Sequence, residues 1–151
     1  EIYTLSLHDA LPIFDWCRSI QEFTNQGGKM QYITVVIDEL ADLSIQGGNI
    51  DNYIIRLCQL GRAAGIHLIV ATQRPDSEIL SGLIRSNIPT RICFAVQKAT
   101  DSRIILDTSG GEKLQGQGDG LYKAIGQLHP QRFQTPFIPT DVLKAMIEQF
   151  K

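Results

Sequence analysis

The sequence has no run of 18 apolar residues, and a bilayer-spanning helix needs about 20, so the chain offers no transmembrane helix. It has few cysteines: Cys17, Cys58 and Cys93 are odd in number and far apart, with neither disulfide framework nor metal-ligand spacing. Reduced core thiols in a cytosolic protein are the expectation. It lacks a positive excess: 14 basic residues face 16 acidic ones, for a net charge of −2. Whole-chain charge therefore does not argue for nucleic-acid binding, although a local basic patch stays open. It also lacks a basic segment followed by an apolar core at its start, so no signal peptide is read there. Residues 1–13 do not begin with Met. They resemble a translated sequencing-adapter read-through and are expected to be a non-native leader, with no function for His8 or Asp9. What remains, 43% hydrophobic and 20% charged in 151 residues, is the material of one soluble domain, expected over residues 14–151.

The most informative stretch is Tyr32-Ile-Thr-Val-Val-Ile-Asp-Glu-Leu-Ala-Asp-Leu43. Its first six residues are almost all apolar or β-branched, which reads as a strand buried on both faces in a parallel sheet. It ends in two acids, Asp38 and Glu39. Open α/β sheets bind ligands at the carboxyl ends of their strands, so the two carboxylates stand at a ligand-binding edge. The other reading is that they stop a strand and open a loop.

The rest alternates. Phe14, Trp16, Cys17, Ile20 and Phe23 sit at roughly helical spacing before Gly27-Gly28, and read as core rather than as a base-stacking platform. Residues 44–49 read as a loop. Ile50, Tyr53, Ile54, Leu57 and Leu60 predict a helix that Gly65 stops. Residues 66–71 predict a second buried strand, ended by Thr72-Gln73-Arg74-Pro75. The intervening helix makes a βαβ unit and favours a parallel pair. Thr72, Gln73 and Arg74 then share the edge of Asp38 and Glu39. Residues 78–87 read as a short helix and 91–96 as a third strand. Thr100 is a candidate N-cap for a helix to residue 106. Gly116, Gly118 and Gly120 around Asp119 read as a tight turn, 121–125 with 132–137 as a late hairpin, and 141–150 as an amphipathic helix. Strands alternating with helices indicate an α/β domain. His67, inside an apolar strand, reads as a core or edge histidine.

Taken together, Val-Val-Ile-Asp-Glu-Leu-Ala-Asp-Leu at 35–43, Arg62-Ala-Ala-Gly-Ile-His-Leu68, Ala71-Thr-Gln-Arg-Pro75, Gly82-Leu-Ile-Arg-Ser-Asn-Ile-Pro-Thr-Arg-Ile92, Asp101-Ser-Arg-Ile-Ile-Leu-Asp107 and Gly116-Gln-Gly-Asp-Gly-Leu-Tyr122 occur in an order that resembles the C-terminal half of an FtsK/SpoIIIE-type DNA translocase motor. The resemblance implies part of a RecA-like P-loop ATPase domain: a mainly parallel sheet flanked by helices, assembled as a homo-hexameric ring around double-stranded DNA. One departure is plain. No G-x-x-x-x-G-K-[ST] loop occurs, so the phosphate cradle is missing and the chain is expected to be a piece lacking it. As such it is expected neither to bind ATP nor to unfold cooperatively alone.

By the same resemblance the cofactors are ATP and Mg²⁺, and Asp38 is the Mg²⁺-side carboxylate, acting through water. Glu39 is the catalytic base, and the 38–39 pair resembles a Walker B motif. Gln73 matches a polar sensor for the γ-phosphate or its water, or else is a loop-capping amide, and Thr72 is a second candidate nucleotide contact. Arg62 is a candidate arginine finger acting on a neighbouring subunit, or a solvated arginine favourable to the helix dipole. Arg74, Arg85, Arg91 and Arg103 are rivals that ordinary ion pairs would explain. Lys98, Arg103 and Lys113 are candidate DNA contacts or a solvated face. The expected activity is ATP-driven DNA translocation in the cytoplasm, in chromosome segregation or DNA transfer, with membrane contact only through regions outside this chain. A secretion or conjugative coupling ATPase, or an inactive fragment, are the other readings.

Overall fold

The computed structural model describes residues 17, 19–45 and 49–150. The leader expected at 1–13, the start of the first expected helix and Gly47-Gly48 lie outside the described residues. The chain divides into two compact units, Glu1–Arg74 and Pro75–Lys151.

In the first unit, α1 (Ile20–Asn25) begins under the Ser19 hydroxyl, which accepts from the Glu22 amide at 3.2 Å, the usual way to satisfy a free helix-start N–H. Strand β1 (Ile33–Ile37) leads into α2 (Leu40–Ile45), then α3 (Ile50–Ala64) and β2 (Ile66–Val70). The strands pair parallel, Ile33 opposite Ile66 through Ile37 opposite Val70, as the βαβ reading expects. Helix α3 packs on β2. Gly61 permits a close approach, since a Cβ there would stand 3.1 Å from Ile66 Cβ. Gly65 closes α3 in the left-handed conformation (φ 75°), where a Cβ would also meet Ile20 Cδ1 at 2.5 Å. Two independent reasons thus demand glycine there.

Two expectations change. Residues 40–45, read partly as loop, form α2; Leu40 and Ala41, both fully buried, anchor it, and burial of such a leucine contributes about 1.5–3 kcal/mol. The strands, read as buried on both faces, are covered on one only. Val35, Ile37, Leu68 and Val70 are half-buried, whereas Thr34, Val36, His67 and Ile69 are exposed. A continuous apolar run shows that both faces are apolar, not that something covers each. His67 lies on the exposed face, stacked on Tyr32 with ring centroids 5.6 Å apart.

The second unit holds α4 (Gly82–Asn87), β3 (Arg91–Phe94), α5 (Ala99–Leu106), a 3₁₀ turn (Gly111–Lys113), β4 (Asp119–Lys123), β5 (Gln131–Gln134) and α6 (Thr140–Glu148). The late hairpin forms, and β3 joins it as an antiparallel sheet in the order β3-β4-β5. The helix expected over 78–87 keeps only its second half, because Asp76 caps the amides of Glu78 and Ile79 into a separate turn. The N-cap of α5 is Lys98, not Thr100, and no side chain caps it. Leu106, Ile84, Cys93 and Ser102 form the core. Ser102 is satisfied there: its hydroxyl donates to Thr108 O at 2.8 Å and accepts from Gly111 N at 2.9 Å. The glycine-rich turn is tight as expected. Gly116, Gln117 and Gly118 all have positive φ, and a Cβ on Gly118 would stand 2.1 Å from Thr135 Oγ1.

Candidate active-site edge and its relatives

The carboxyl ends of β1 and β2 are tied together beyond the last ladder pair. Ala71 N donates to Ile37 O at 2.8 Å, and Leu40 N donates to Ala71 O at 2.9 Å. These bonds fix residues 38–39 against 71–73 on one edge, and buried Leu40 locks the turn from below. Asp38, Glu39, Thr72 and Gln73 are therefore brought together, as the parallel pairing requires.

Glu39 is held by three donors. The Thr72 hydroxyl makes a short hydrogen bond to Oε1, the Ala41 amide donates to Oε1 at 3.1 Å, and the Gln73 amide donates to Oε2 at 2.8 Å. Thr72 is itself fixed, because its oxygen accepts from Arg74 N at 3.1 Å. The Thr72 hydroxyl first and the Gln73 amide second, with smaller help from the Ala41 amide and the Arg74 charge, outweigh burial and hold the Glu39 pKa below the usual carboxylate value. Hydrogen bonds to the charged form favour that form. A carboxylate has about four acceptor sites, and three are used, so one on Oε2 stays open. Asp38 beside it is exposed, and among the described residues its carboxylate has no partner. An exposed, unpaired carboxylate is a hard oxygen donor of the kind Mg²⁺ takes, so the residues present fit such an ion.

Gln73 takes part through its backbone; its side chain is exposed and free to reach outward. The reading of residues 72–73 as nucleotide contacts missed the partnership of Thr72 with Glu39. Its signal was available: a hydroxyl residue at the end of the strand paired with the acid-bearing one. Arg62 is not on this edge. It lies exposed in the last turn of α3, at the amino end of β2. Five strand residues at about 3.3 Å each put it roughly 16 Å away along the strands.

In the second unit, Arg85 and Arg91 are engaged. Both pair with Asp107, at 3.3 and 2.7 Å, and Lys123 joins them at 3.2 Å. Arg91 also donates to the carbonyls of Arg85, Ile88 and Ile105. Burial would raise the Asp107 pKa, but hydrogen bonds and charge from Arg91 and Lys123 outweigh it and lower it. Asp119, in the glycine-rich turn, is buried and gripped by Arg132 through two bonds at 2.8 and 2.6 Å. Arg132 first, and the Gln115 amide second, pull its pKa down to about 2. Lys98, Arg103 and Lys113 are exposed.

Comparison with known proteins places this geometry in a family. Residues 15–77, which contain the whole edge, match the FtsK/SpoIIIE family model. A DNA translocase FtsK of Lactococcus lactis subsp. cremoris is 50% identical over 124 residues, 82% of this chain and 16% of that protein. The Streptococcus pneumoniae DNA translocase FtsK is 47% identical over 137 residues, 87% of this chain and 18% of that protein. The chain thus spans less than a fifth of these curated relatives. Among solved structures, the pCW3 conjugation coupling protein TcpA with ATPγS aligns with a TM-score of 0.74 at 30% identity, over 92% of this chain and 45% of that one. The cytoplasmic domain of the Thermomonospora curvata type VII secretion ATPase EccC aligns with a TM-score of 0.80 at 20% identity, over 95% of this chain and 18% of that one, and shows the fold alone. The fold is that of part of a RecA-like P-loop ATPase domain, and residues 15–77, with the paired acids at the end of a parallel strand, match the FtsK/SpoIIIE family and are similar to its DNA translocases.

Proposed function

We propose that this chain is the Walker B and sensor portion of an ATP-driven double-stranded DNA translocase that works as a homo-hexamer. The observation that carries the reading is the Glu39 carboxylate, oriented by three donors with one acceptor site left open beside the unpaired Asp38. ATP would supply the phosphoryl group and Mg²⁺ the neutralisation of its charge. Asp38 would hold the Mg²⁺ side through water. Glu39 orients and deprotonates the attacking water through its open Oε2 site, and Gln73 extends its amide toward the same space. Residues 14–151 then form the later part of one motor domain, after a P-loop that this sequence does not contain. Arg62, on the opposite edge, acts on the nucleotide of a neighbouring subunit.

The more similar sequence relatives are named as DNA translocases, which favours DNA as the substrate. A conjugative coupling role has the support of the 30% identical TcpA. In a full-length translocase carrying this segment, Glu39→Gln is expected to abolish steady ATP hydrolysis while ATP still binds, since loss of a general base costs about 10²–10⁴-fold. Near-normal turnover in that variant would remove Glu39 from its role. Stimulation of the unmodified enzyme's hydrolysis by duplex DNA is the expected result that supports the translocase over a protein-pumping ATPase.

A further inference from the structure

We propose that Thr72 is a positioning residue for Glu39: its hydroxyl, 33 residues away in sequence, sets the carboxylate rotamer that leaves Oε2 open to the attacking water. This rests on the proposed function above and assigns Thr72 a task other than touching nucleotide.

The geometry supports it in three ways. First, the bond is between side chains and across strands, so it fixes the Glu39 side chain relative to β2 rather than to its own turn. The Ala41 amide, which shares Oε1, belongs to the turn of Glu39 itself and cannot do this alone. Second, Thr72 is not free to turn away. Its oxygen accepts from Arg74 N at 3.1 Å, and a hydroxyl has a single proton to give. Two acceptors are in reach of that proton, Glu39 Oε1 at 2.5 Å and Arg74 O at 3.4 Å, and the much shorter contact to the charged carboxylate takes it. Third, the division of donors is unequal. Oε1 receives two bonds and Oε2 one, from Gln73 N, which selects the oxygen that meets water. The ionisable groups around Glu39 are Asp38 next to it, Asp42 in the first turn of α2, and Arg74 on the facing loop.

The test uses full-length translocase carrying this segment, with Thr72→Val, which keeps the shape and removes the hydroxyl, and Thr72→Ser, which keeps the hydroxyl. Thr72→Val is expected to lower kcat about tenfold, the worth of one hydrogen bond to a charged group, with KM for ATP within about twofold. Thr72→Ser should restore kcat. A Thr72→Val kcat equal to that of the unmodified enzyme overturns the proposal. So does a serine variant as impaired as the valine one, because then packing and not the hydroxyl matters. A rise in KM with kcat unchanged also overturns it, in favour of nucleotide contact. If Thr72→Val is poorly folded, the serine variant alone decides: a lowered kcat despite its hydroxyl counts against positioning. Glu39→Gln, run alongside, separates the two layers. An active Glu39→Gln enzyme removes the function on which the inference rests, whereas an inactive one with an unchanged Thr72→Val enzyme removes only the role of Thr72.

Discussion

Glu39 and Asp119 each receive three hydrogen bonds, yet the two carboxylates are held for different ends. Asp119 is buried and takes two of its three from a guanidinium. Its charge is neutralised where it stands, and its pKa falls to about 2. Glu39 takes all three from neutral donors, with Arg74 acting only through space. Hydroxyl and amide dipoles fix its orientation without cancelling its charge. The same donor count thus gives a structural tie in one unit and an oriented, still-charged base in the other. What separates them is whether a full countercharge is built in.

The comparison is broken most forcefully by asking where the countercharge for the Glu39 edge comes from. If Arg62 supplies it from a neighbouring subunit, Arg62→Ala in the full-length enzyme should lower ATP turnover by about 10³-fold or more. Mixing Arg62→Ala subunits with Glu39→Gln subunits should restore some activity, because a few interfaces then join an intact base to an intact arginine. No recovery in rings shown to be mixed would leave Arg62 as a solvated residue at a helix end.

The second experiment sharpens the Asp119 side. Its folded pKa of about 2 lies below the unfolded value of about 3.9. Its contribution is therefore fully present above about pH 4 and is lost as pH falls toward 2. In the full-length enzyme, Asp119→Asn should lower the denaturant midpoint at neutral pH, and the gap to the unmodified enzyme should close between about pH 4 and 2. A gap independent of pH would mean that the Arg132 pairing contributes through shape and not charge.

The smallest expected effect is at Asp107. It meets three cations, but its side chain is 49% exposed, and solvent discounts such pairs to about 0–1 kcal/mol. Its φ of 61° is a left-handed value that asparagine tolerates. Asp107→Asn should therefore shift the unfolding midpoint little, and less still at high salt, and a large shift would show that the cluster behaves as a buried one.

Much of this was legible in the order of residue types. A β-branched run ending in Asp38-Glu39, a helical repeat closed by Gly65, and a second apolar run ending before Pro75 determine a parallel βαβ unit with its acids at the carboxyl edge. Strand period, helix period and glycine stops are local properties, so sequence carries them. Only the tertiary structure decided which side chains meet. The Thr72–Glu39 bond, the choice of Arg132 for Asp119, the convergence of Arg85, Arg91 and Lys123 on Asp107, and the pairing of β3 with the hairpin all join residues distant in the chain. The half-covered faces of β1 and β2 were undecidable for the same reason: an apolar side chain records a preference for burial, while its cover is supplied by another part of the fold.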